Sequence, residues 1–240
     1  MANDKSDKET ALTKAEQVAS SSPIIETILN IFKAALATAP FCGGIASLIT
    51  DYIPSARFRR LEEFAQKVAD DLSRLSSRVD QSYIKSDDFA FIFEKSFRGV
   101  AENPQQEKIN AFRGILVNST IRKDYSEEEK EYFLNLVSTL SVLHIRILRF
   151  MAFPKEYLRD SNIPENRIQG GFSDFFPVVI SGVEISIIIS AFEDLYQSGL
   201  INTEKHIFNT MTSAQGLHLL GNRVSDSGRR FIQFCVTPKN

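Results

Sequence analysis

The chain has no tryptophan, and cysteine (2), histidine (3) and methionine (3) are scarce. Cys42 and Cys235 stand far apart, which excludes a disulfide framework or a cysteine-based zinc site and points to a reducing cytoplasm. His144, His206 and His218 are isolated, so no run of residues carries metal-ligand spacing. His144 lies beside the apolar stripe Leu143–Ile147, as a hydrogen-bonded core or boundary histidine would. Charge of one sign is missing too: 28 basic against 30 acidic residues give a net charge of −2 and no global pull towards nucleic acid or anionic lipid. The pairs Gly43-Gly44 and Gly170-Gly171 lack the preceding strand and the following lysine or acid that a phosphate-cradling turn requires. Glu62-Glu63, Asp70-Asp71, Asp87-Asp88 and Glu127–Glu129 read as solvated faces or helix N-termini. No catalytic constellation, metal site or cofactor motif emerges, and the expectation is a protein that is not an enzyme. Met1–Ser22 is polar and of mixed charge, without the basic start and apolar run of a secretory signal.

What the chain does have is an ordinary globular balance, 43% apolar and 24% charged, and 19 phenylalanines to fill a core. Its most distinctive stretch is Ala34–Thr50 (AALATAPFCGGIASLIT), about 17 uncharged residues interrupted by Pro40 and Gly43-Gly44. That is the lower limit for crossing a bilayer. Its small residues, however, are only weakly lipophilic and suit close helix packing in water or lipid. A buried helical hairpin is the plain reading, and conditional or oligomeric membrane insertion is the sharper one. The residues that would meet a partner or membrane are Ala34, Leu36, Phe41, Gly43, Gly44, Ile45, Leu48 and Ile49. Arg57, Arg59 and Arg60 follow closely enough to meet lipid headgroups.

Apolar periodicity predicts a mainly α protein: a helical bundle followed by a small winged-helix-like α+β module. Residues 1–21 read as a disordered tail. The bundle spans 22–160 and opens with an apolar, glycine-containing hairpin over 22–54. The seam Phe58, Leu61, Ala65, Val68, Leu72, Leu75 and Val79 fits either a bundle helix or an intermolecular coiled coil, with the bundle favoured. Ser86 caps a helix carrying Phe89, Ile92, Phe93, Phe97 and Val100, and a further helix follows Pro104 with Ile109, Phe112, Leu116 and Val117. Ser126 and Glu129 form a capping box before one long helix up to Pro154. Its buried stripe is Tyr132, Phe133, Leu136, Val137, Leu140, Leu143, Ile147 and Leu148. Two prolines and Gly170-Gly171 mark 161–177 as a linker. The module over 178–240 has a helix from about Gly182 to Ser198 closed by Gly199, two short extended pieces at Leu200-Ile201 and Leu217–Leu220, and a helix capped by Ser225.

The apolar glycine-containing segment, the heptad-like helix after it, the run EKINAFRGILVNS and the ending GLI…VSDSGRRFIQF together resemble the Abi-alpha-like class of bacterial helical proteins. The resemblance covers roughly Pro40–Phe234. It implies a bacterial or phage-related helical protein with a role in abortive infection and antiviral defence, and it carries no catalytic residues. The function expected is a non-enzymatic interaction or effector protein, cytoplasmic and conditionally membrane-associated, acting as a homo-oligomer or with a protein partner. The alternative is a DNA-binding regulator using Arg223, Arg229 and Arg230. Nucleic acid ranks low as a partner, because Glu184, Glu193 and Asp194 precede those arginines.

Overall fold

The computed structural model describes residues 54–209, 217 and 220–238, so the Ala34–Thr50 stretch, the tail and the hairpin lie outside the described residues. Among the described residues there are nine α-helices and no strand. Two compact units divide the chain: Met1–Leu134 with Thr237–Asn240, and Asn135–Val236.

In the first unit, α1 (Pro54–Arg74), α2 (Asp87–Glu102) and α3 (Gln106–Ile121) pack against one another. The seam of α1 faces α2 and α3: Leu61, Phe64, Ala65, Val68 and Leu72 are buried, and Phe64 meets the edge of Phe97 at 6.5 Å. The side chain of Phe58 lies outside the described residues, and Val79 is half-buried. α2 begins as expected, with the Ser86 hydroxyl accepting from the Phe89 N–H at 3.2 Å. α3 is buried over most of its surface from Lys108 to Thr120, with Asn110 exposed and Arg113 partly open. Its polar residues fit because Ser119 and Thr120 donate to the carbonyls of Leu116 and Val117, at 2.8 and 2.7 Å. α2 and α3 approach closely at Gly99, where a Cβ would lie 2.2 Å from the Phe112 ring.

The expected long helix over 126–154 is two: α4 (Glu127–Thr139) and α5 (Val142–Ala152). The break has a local cause. The Thr139 hydroxyl bonds back to the carbonyls of Asn135 and Leu136, and Ser141 adopts an extended conformation that starts a new helix. The boundary between the units falls inside α4. Phe133 and Val137 are buried as expected and Leu134 joins them, whereas Tyr132, also expected in the stripe, is 46% exposed.

The second unit contains α5, α6 (Pro154–Asp160), α7 (Phe172–Val179), α8 (Ile185–Gln197) and α9 (Asp226–Cys235). Residues 161–177 are not merely a linker. They carry most of α7, whose Phe172, Phe175 and Phe176 join Phe150, Phe192 and Phe208 in one aromatic cluster. Ring centroids there stand 5.1 Å (Phe192–Phe208) to 6.1 Å (Phe150–Phe175) apart, mostly edge to face. Phenylalanine burial outweighs the loop signal of the neighbouring prolines and glycines. Gly199 closes α8 at φ +67, with Leu200 N–H bonding Leu195 O and Gly199 N–H bonding Tyr196 O, both at 2.9 Å. Of the two extended pieces expected in the C-terminal module, Leu200-Ile201 forms a single antiparallel bridge, Ile201 to Val224, and the middle of Leu217–Leu220 lies outside the described residues. The ladder cannot lengthen at its far end. Leu220 leads into a 3₁₀ turn (Gly221–Arg223), and Ser225 already caps α9.

Candidate functional site

The expected partner segment, from Ala34 and Leu36 through Phe41, Gly43, Gly44 and Ile45 to Leu48 and Ile49, lies outside the described residues, but its point of attachment does not. α1 starts at Pro54, directly after residues 51–53. Arg60, on its second turn, donates through Nε to Val100 O at 3.0 Å and through a terminal nitrogen to Ala101 O at 2.8 Å. Those carbonyls sit in the last turn of α2, where a cation complements the helix dipole. Of the three arginines expected to face headgroups, Arg60 is thus a structural clamp. Arg59 is exposed, 3.8 Å from Glu63.

The C-terminal arginines are committed too. Arg229 donates to Gly221 O at 2.7 Å, and Arg223 reaches Thr203 Oγ1 at 3.4 Å with its guanidinium 5.7 Å from the Phe172 ring centre. The Ser225 hydroxyl donates to Gly199 O at 2.7 Å and accepts from Gly228 N–H at 2.9 Å. Gly228 is forced, since a Cβ there would sit 2.0 Å from Leu200 O. Arg223, Arg229 and Arg230 share one short segment, but the first two hold the module's own turns.

Folding assembles polar groups that sequence spacing did not. Asp71 is buried between Val68 and Leu75 and receives Arg113 through two bonds, at 2.6 and 2.8 Å, and Arg74 at 2.8 Å. The signal was available: Asp71 falls on the seam of α1, unlike Asp70, and a seam carboxylate needs a distant cation. The second cluster joins Tyr83, Asp88 and Lys130. The Tyr83 hydroxyl donates to Asp88, Lys130 Nζ lies 3.6 Å from the same carboxylate, and it also stands 4.1 Å over the Tyr83 ring. Burial, then the bond to Asp88, pushes the Tyr83 phenol well above the usual range.

His144 gains two partners at the start of α5. Its Nδ1 accepts from Ser141 N–H at 3.1 Å and lies 2.7 Å from the Ser141 hydroxyl, while Nε2 stands 3.1 Å from Asp194 of α8. A serine, a histidine and an aspartate are thus in line. The backbone bond already occupies the Nδ1 lone pair, however, and ties the ring to the helix start; the trio acts as a cap that pins α5 to α8. Among the described residues no cluster of three metal-ligating side chains forms, and no helix is long and apolar enough to cross a membrane. No family model matches the chain, and neither a curated protein nor a solved structure does.

Proposed function

We propose that the chain is a non-enzymatic interaction or effector protein of bacterial type, acting in phage defence. It oligomerises and presents Ala34–Thr50 to a protein partner or a membrane. The observation that supports this is the contrast across residues 51–53. On one side lies an uncharged stretch rich in small residues; on the other, a helix whose apolar seam is used within its own unit and whose second turn is clamped by Arg60. Because the α1 seam is internal, self-association through a coiled coil there is disfavoured, and the role of interaction element passes to the preceding stretch. The likeness to Abi-alpha-like proteins supports the defence context.

Liposome flotation of the full chain, with Gly44→Glu alongside and light scattering for mass, tests the reading. Flotation of wild type alone, with both proteins equally helical by circular dichroism, supports a membrane effector. An oligomer that Gly44→Glu dissociates supports a protein-facing segment. A monomer that never floats overturns the proposal.

The DNA-binding regulator ranks second. Its support is the helix–bridge–helix order from α8 through Ile201–Val224 to α9, which a winged-helix-like module shares. Against it, Arg223 and Arg229 are already bonded within the module.

A further inference from the structure

Within the second unit a groove of about 550 Å³ opens between α5, the α6–α7 connection and the end of α7. Arg146 and Arg167 line it, with the hydroxyl-bearing Ser161 and Ser181. Ile163, Pro177 and Val178 provide an apolar wall. The volume suits a small organic molecule.

These two arginines share one groove, and neither is paired with a carboxylate among the described residues. Arg74 and Arg113 pair with Asp71, Arg98 with Glu94, Arg122 with Asp124, and Arg149 with Asp160. Among the described residues no carboxylate lies within 4.0 Å of Arg146 or Arg167, and Arg146 only touches the Tyr157 hydroxyl, at 3.4 Å. Asp160, beside Ser161 in sequence, is taken by Arg149 at 2.7 Å. The C-terminal carbonyls of α7 offset about half a charge at most. The described lining thus carries two guanidinium groups and no carboxylate, and their planar forks match tetrahedral oxyanions.

We propose that this groove binds an organic phosphate monoester. Arg146 and Arg167 take the phosphate oxygens, the serine hydroxyls add hydrogen bonds, and Ile163, Pro177 and Val178 receive the apolar body. A monoester is chosen over a carboxylate because it carries a charge of about −1.5 to −2 at neutral pH, which matches two cations. The phosphate belongs either to a soluble ester or to a phosphatidate headgroup.

Calorimetry on the full chain with phenyl phosphate, inorganic phosphate and benzoate tests this. Phenyl phosphate is expected to bind at least tenfold more tightly than the other two, and to weaken as pH falls through about 6, where the ester loses its second charge. Arg167→Gln, at an exposed position, should weaken binding at least tenfold with an unchanged melting temperature; Arg146→Gln should weaken binding to a similar extent. Absence of binding, equal binding of benzoate, or indifference to Arg167→Gln overturns the proposal. Phosphatidate vesicles identify the source. Binding lost in Arg167→Gln and displaced by phenyl phosphate supports a lipid headgroup. Phenyl phosphate binding without vesicle binding supports a soluble ester.

Discussion

Two glycines and two aspartates carry disproportionate weight at the residue scale. A methyl group at Gly99 would strike the Phe112 ring at 2.2–2.7 Å, and one at Gly228 would strike the Leu200 carbonyl at 2.0 Å. A ring can rotate or shift, whereas a backbone carbonyl in a helix-closing turn has little room to move. Gly99→Ala should therefore cost about 1–3 kcal/mol and Gly228→Ala more, read as the loss of urea midpoint at constant slope. Asp71 shows the opposite economy: its buried charge is tolerable only because Arg113 and Arg74 supply three bonds. Asp80 is held well below the usual carboxylate range by the Ser82 hydroxyl, then by Lys123 at 3.0 Å and the Tyr83 N–H. The folded state thus refuses a proton that the unfolded chain accepts below about pH 4. The stabilisation is present above that pH and fades as pH falls. Asp80→Asn should be less stable at pH 7 yet lose less stability between pH 7 and 3, as urea titrations at both pH values would show.

Helix ends, rather than helix middles, decide the elements. Ser225 illustrates this, since one hydroxyl caps α9 through Gly228 N–H and ties that cap to Gly199 O at the close of α8. Ser225→Ala should cost about 1–2 kcal/mol. Amide hydrogen exchange should speed up first at the start of α9; uniform acceleration across the chain would contradict a local cap. The interruption between α4 and α5 follows the same logic, because Thr139 back-bonding and the extended Ser141 override an apolar periodicity that runs on through them.

At the scale of the whole molecule, each unit has its own core, and phenylalanine is the main filler of the second. Cys235 lies in that unit, buried, and burial pushes its thiol far above the usual value. In a Cys42→Ser chain it should resist a thiol reagent at pH 8 and react at once in urea. Rapid labelling of the native protein would show that the second unit opens on its own. The proposed effector role operates at this scale too, because it needs a rigid body to hold the Ala34–Thr50 segment; Arg60 and the internal seam of α1 provide that support.

The sequence by itself determined the helical class, the seam of α1, the caps at Ser86 and Ser225 and the αL closure at Gly199. Each rests on residues within a few positions of one another, where apolar spacing and a single side chain decide the backbone. Only the tertiary structure decided that FSDFFP is core rather than linker and that Ile201 pairs with Val224 in a single bridge. It also decided that Arg60, Arg223 and Arg229 bond within their own units, and that Arg146 and Arg167 share a groove with no carboxylate among its described lining residues. The arginine bonds among them span 8 to 41 residues, as in Gly221–Arg229 and Arg60–Ala101. Burial energy and charge pairing at such separations leave no periodic trace in the chain.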